Sequence, residues 1–242
     1  MERSLAMIII KNSGVVEPLG IRFLRESKLQ LTAPTRSITD SADEFDGEID
    51  FGTELKCGSW VLAGVTDEGL SATEKMQARR NLATYINNLR INGAYFTYES
   101  DPDKKIFVKA ESRAEIEEYP SWLKVHIPLK VNPYWESITE KQFTGSGIIT
   151  NEGTFDTPLI IDVKGLVIDP EVVVNGQILK YNGTLTAMDI LTINAEYAIV
   201  TFNGINALKY YEGGLPVLPI GETTVVAADG GVTTFRWRER FI

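Results

Sequence analysis

Asp40, Asp43, Glu44, Asp46, Glu48, Asp50 and Glu54 crowd one short stretch, with no Lys or Arg between Arg36 and Lys56. Carboxylates at that density are the raw material of a calcium loop. Their order does not follow the ligand positions of an EF-hand, however, and Phe45 and Phe51 interrupt them. An exposed acidic loop leading into a strand is the plainer reading. Paired carboxylates could also serve glycoside hydrolysis, but among 33 acidic residues no pair is singled out by position.

The nucleophile and metal chemistries are more tightly bounded. Cys57 is the only cysteine, which excludes an internal disulfide and a cysteine-based zinc site. His126 is the only histidine and sits in an alternating stretch between Val125 and Ile127, where a structural role is the stronger reading. Ser59 and Ser121 each precede a tryptophan and lack the Gly-x-Ser-x-Gly context of a nucleophile elbow. Gly145-Ser146-Gly147 is too short for a phosphate loop, and Cys57 beside Gly58 reads as inert packing. No catalytic residue, cofactor-binding residue, metal ligand or cofactor is therefore expected. Aromatic stacking on a sugar remains: Trp60, Trp122 and Trp237 fall in predicted strands and read as core, whereas Trp135 falls in a linker.

The elements that must position these residues are mostly strands. One segment is helical: Ser71-Ala72-Thr73-Glu74 is a capping box. After it Ala78, Leu82, Tyr85, Ile86 and Leu89 form one apolar stripe at helical spacing, with Arg79, Arg80, Asn81 and Asn87 on the wet face. Asn92-Gly93 ends it. Residues 95–98 and 105–108 read as a hairpin about a turn at 100–104 carrying Pro102. Residues 122–131 form a long strand. Short strands follow at 158–163, 171–174, 178–181, 190–193, 199–202, 223–226 and 233–241. Asn175-Gly176, between two of them, is a type I′ hairpin signal. Such a series indicates a β-sandwich or jelly roll. In the last strand Phe235, Trp237 and Phe241 share one side, and Arg236, Arg238 and Arg240 the other.

A chain of 242 residues, 43% hydrophobic and 24% charged, builds one large or two small domains. The apolar runs are too short to span a membrane, and the N-terminus lacks the pattern of a signal peptide, so retention in a cytoplasm is expected. The formal charge of −9 and the scattered basic residues argue against tight nucleic-acid binding. Residues 1–132 carry 17 Lys/Arg against 20 Asp/Glu; residues 133–242 carry only 7 against 13 and are rich in Val, Ile, Thr and Gly. That shift places a domain boundary near Pro133.

Several stretches together resemble the distal tail proteins (Dit) of long-tailed bacteriophages and prophages. Tyr95–Glu99, Asp101-Pro102-Asp103 and Val125–Val131, followed by Asn132-Pro133-Tyr134-Trp135, resemble the end of that family's N-terminal domain. Asn151-Glu152-Gly153-Thr154 with Thr157-Pro158 resembles the entry into its C-terminal domain. Pro170–Gly176 matches the first hairpin there, and Gly213–Gly221 a later proline-glycine run. Asp46-Gly47 resembles an early turn. The family's run ends in Gly-x-Asn, where this chain has Gly221-Glu222-Thr223.

The resemblance implies a mainly β protein. Residues 1–132 would be a split-barrel-like, ring-forming domain with one helix, and residues 133–242 a galectin-like β-sandwich. It implies no enzyme, but a homo-hexameric ring at the tip of the tail, joining the tail tube protein to the tail hub or tail fibre protein. DNA would pass through the lumen without specific binding, and no membrane would be involved. In such a ring Asp43, Glu44, Asp46, Glu48 and Asp50 are candidates to line the channel, since like charges keep DNA from sticking. Pro133, Tyr134 and Trp135 would be the seam between the domains: Pro133 ends the preceding strand and restricts Asn132. The alternative is a carbohydrate-binding β-sandwich module.

Overall fold

A computed structural model describes residues 7–10, 21–23, 28–29, 35–38, 50–54, 57–98 and 101–242; the short segments before residue 57, and Tyr98, are described by backbone alone. The chain is mainly β and divides into two compact units, Met1–Trp135 and Glu136–Ile242.

In the first unit an antiparallel sheet runs in the order Met7–Ile10, Ala94–Tyr98, Asp101–Ala110, Leu123–Val131, Gly58–Thr66, Ile21–Phe23. Leu123–Val131 is its spine. It pairs along eight residues with Gly58–Thr66, for example Leu129 opposite Trp60. Its other edge is shared between Glu115–Glu118 and Asp101–Ala110. The alternation read from the sequence holds: Val125, Ile127, Leu129 and Val131 are all buried. The second strand of the hairpin starts earlier than expected. Asp101 already pairs with Tyr98, and Asp101-Pro102-Asp103 is strand and not turn; residues 99–100 lie outside the described residues.

The helix spans Ala72–Asn92. Ser71 Oγ accepts the Glu74 N–H at 3.3 Å, and Glu74 Oε2 accepts the Ser71 N–H at 2.8 Å, which satisfies two donors that a helix start leaves open. Gly93 stops it. Its φ of 69° lies in the left-handed region, its N–H donates to Leu89 O, and a Cβ there would collide with the Phe107 ring and lie 2.9 Å from Val108 O. Leu82, Tyr85 and Leu89 enter a core with Trp60, Phe96, Ile106 and Val108, while Ile86 is packed at its margin.

The second unit holds two larger sheets. One orders Lys141–Thr144, Val232–Trp237, Ile160–Lys164, Ile190–Asn194, Ile199–Phe202, Ile205–Asn206. The other orders Gly147–Asn151, Gly221–Val226, Glu171–Val174, Gln177–Tyr181, Tyr211–Glu212. Their alternating inward residues, among them Ile161, Val163, Val172, Val174, Leu191, Ile193, Val225 and Phe235, make one core, the arrangement of a β-sandwich. Asn175 and Gly176 turn the Glu171–Val174 hairpin with φ of 50° and 78°, as a type I′ turn requires. The terminal strand is interrupted: Val232–Trp237 and Arg240–Phe241 are separate, with Arg238-Glu239 between them. No helix among the described residues is long and apolar enough to cross a membrane.

Candidate functional site

For a chain without an evident reaction centre, the informative places are those where a tightly held residue adjoins a surface. The first is the stretch opened by Asn132. Its N–H still bonds to Phe107 O at 2.9 Å, so the spine strand ends there with its hydrogen bonding complete. Pro133, Tyr134 and Trp135 are each half-buried. The Trp135 ring packs at the margin of the first core, 6.1 Å from the Trp60 ring with the planes tilted by 41°. The next residue, Glu136, is buried and belongs to the second unit, where Arg240 Nη2 approaches its Oε1 at 3.3 Å. The short strand Trp135–Ser137 thus contains the boundary between the units, and its consecutive side chains are held by different ones.

Glu136 opens a ladder of charge along the second unit. Arg236 Nε donates to Asp162 Oδ2 at 3.0 Å, and its Nη1 lies 3.4 Å from Glu140. Arg238 lies 3.8 Å from Glu140 and donates to the Ile138 carbonyl. Lys141 Nζ sits 2.6 Å from buried Glu239 and 2.5 Å from exposed Glu152. The hydrogen bonds that Lys141 donates to Glu152 and Glu239 raise its pKa, and Lys141 in turn lowers that of Glu152. The arginine face of the last strand is therefore half-buried and paired with carboxylates from distant segments. The recess beside it, near Glu136 and Arg238, measures about 20 Å³, room for about one water. This network braces the unit.

The other candidates have structural settings. His126 is half-buried, paired opposite Ala63 in the sheet, with Nε2 3.7 Å from Glu117. Ser59 is exposed and donates to Glu111 at 3.4 Å. The Ser121 carbonyl accepts the Leu70 N–H. Ser146 Oγ accepts the Ala227 N–H; Gly145-Ser146 links two strands, and Gly147 begins the second. Cys57 is exposed and unpaired with another cysteine, not packed inside. Trp60 and Trp237 are core residues, but Trp122 precedes its strand and lies half-buried, stacked on Tyr119 at 3.9 Å. Asp43, Glu44, Asp46 and Glu48 lie outside the described residues, and Asp50 begins the strand Asp50–Glu54, paired with Thr35–Ile38. No group of three or more His, Cys, Asp or Glu among the described residues is placed to hold a metal ion.

One surface had no signal in the sequence beyond the wet face of the helix. Lys75 and Arg79, one turn apart, both hold Glu118, at 2.9 and 2.5 Å. The hydrogen bond from Lys75, with the Arg79 charge, keeps that carboxyl below its ordinary pKa. A cleft of about 320 Å³ continues along the helix from there.

No protein-family model matches the sequence, and no curated protein sequence matches it. Solved structures do match. The SPP1 Dit protein, described as a paradigm of hub adsorption apparatus in phages that infect Gram-positive bacteria, aligns with a TM-score of 0.69 at 14% identity, over 91% of this chain and 94% of its own. Two structures of the phage P2 baseplate in its activated conformation, with Ca and with Sr, align at TM-scores of 0.46 and 0.48, with 9% and 10% identity. The first of these likenesses spans both units, and this chain has the fold of the SPP1 Dit protein.

Proposed function

We propose that this chain is a structural part of the tail tip of a long-tailed phage or prophage, acting by assembly and not by chemistry. The fold shared with SPP1 Dit over nearly the full length of both chains carries that reading. In it six copies form a ring in the virion, the first unit making the ring and the second a galectin-like sandwich. The ring joins the tail tube protein to the tail hub or fibre protein. A head-to-tail interface that closes gives such a ring.

Asp43, Glu44, Asp46, Glu48 and Asp50 face the lumen and repel passing DNA. Pro133, Tyr134 and Trp135 form the joint that transmits load between the units. The anchoring of Trp135 beside Trp60, and of Glu136 beside Arg240, supports that role. Light scattering on the eluting protein tests the ring: the expected mass is six times the chain's 26.9 kDa. A monomer at every concentration, alone and mixed with tail tube and hub proteins, contradicts it.

A further inference from the structure

The cleft beside the helix has an apolar floor of Leu82, Ile86, Ala114 and Ile116 and a rim carrying Arg79, Arg90 and Arg113. At one end the rim is occupied, since Glu118 bridges Lys75 and Arg79. Further along it is not. Arg90 and Arg113 are exposed and make no ion pair among the described residues. The cleft therefore holds one carboxylate of the chain at Arg79, and Arg90 of the helix and Arg113 across from it present two more guanidinium groups, with apolar ground between them, to solvent. Arginine pairs with carboxylates through planar, charge-assisted hydrogen bonds. From Arg79 to Arg90 the helix rises about 16 Å, the span of about five residues of extended chain.

We propose that this cleft docks a short acidic peptide segment of another protein. An apolar side chain of that segment seats on Leu82, Ile86, Ala114 and Ile116, and its flanking carboxylates pair with Arg90 and Arg113. Charge complementarity selects this occupant over a nucleic acid. Arg79, Arg90 and Arg113 are the charged residues that line the cleft, but they stand in a chain of formal charge −9, which disfavours a strand carrying a charge at every phosphate. A peptide with one or two carboxylates and an apolar anchor meets both the arginines and the apolar floor. The proposal does not depend on the ring reading, because it rests on the surface of the first unit alone.

The probe is a capped, fluorescein-labelled peptide of alternating Glu and Leu, about five residues long to match the cleft, titrated with the full chain and read by fluorescence polarisation. Saturable binding is expected. The double variant Arg90→Gln/Arg113→Gln should bind roughly fivefold more weakly, two exposed ion pairs having been removed. The peptide with Lys in place of Glu should not bind. Both arginines are exposed, so an unchanged thermal melt by circular dichroism would show that the variant is folded. Equal affinity of the parent and the folded variant overturns the proposal, as does the absence of saturable binding of the acidic peptide. Displacement of the peptide by a single-stranded oligonucleotide at equal concentration would also overturn it, and would assign the cleft to nucleic acid.

Discussion

The two units differ in how they hold their arginines. In the second, Arg236, Arg238 and Arg240 each lie within reach of a carboxylate of their own unit: Asp162 and Glu140, Glu140, and Glu136. Its lysine Lys141 is shared between Glu152 and Glu239. In the first, Lys75 and Arg79 hold Glu118, but Arg90 and Arg113 face solvent over apolar ground. A unit that satisfies its own charges is braced; a unit that leaves them open has something to offer a partner. The cores differ in architecture. Both are mainly aliphatic, but the first packs Trp60, Tyr85 and Phe96, each at most 2% exposed, with one helix against a sheet, whereas the second lies between two sheets.

The sharpest way to break this contrast is to damage one core at a time. Trp60→Ala and Phe235→Ala should each cost about 3–5 kcal/mol, because each empties a fully buried site. Urea unfolding followed by hydrogen exchange should show the loss confined to the unit that carries the change. A loss shared equally would mean that the two units unfold as one. Glu136→Gln comes next. It leaves Arg240 half-buried without its carboxylate, and the second unit should lose about 2–3 kcal/mol by chemical denaturation. Trp135→Ala should cost about 2 kcal/mol in the first unit, less than a full core aromatic because the ring is only half-buried against Trp60. An unchanged midpoint would remove Trp135 as an anchor.

The helix cap can be traced from sequence to energy in one step. Ser71→Ala should cost about 1 kcal/mol, read as a lowered unfolding midpoint of the first unit only. It was visible in advance because a capping box is local, its two partners three residues apart. The Asn175-Gly176 turn was visible for the same reason. What was hidden depends on segments far apart in the chain. The arginines of the last strand read only as the side opposite its aromatics, because their partners Glu136 and Glu140 lie 104 and 96 residues away. Trp122 read as core because it adjoins a strong strand pattern, yet it sits just outside the strand and stacks on Tyr119. Glu115–Glu118 gave no strand signal, since an exposed edge need not alternate. The basic cleft could not be anticipated, because Arg113 meets the helix only through the fold.

The smallest effect is a pH dependence of the second unit. Lys141 holds the Glu152 carboxyl below its ordinary value of 4.5, so their contact contributes stability above that pH and loses it as pH falls through the lowered value. At the other end the Lys141 pKa is raised above 10.5, so its contribution is complete below that pH and disappears as pH rises through the raised value. Glu152→Gln should flatten the acid limb of a series of urea midpoints and leave the first unit untouched. An unchanged acid limb would show that the exposed Lys141–Glu152 pair is energetically silent.

The proposed function is assembly into a ring that ends a tail. Electron microscopy of the full chain, mixed with tail tube and hub proteins, is the decisive test. The account predicts sixfold rings seated between tube and hub, with the first unit surrounding the channel and residues 43–50 facing it. Particles without sixfold symmetry, or rings whose acidic stretch lies on the outer rim, would contradict it.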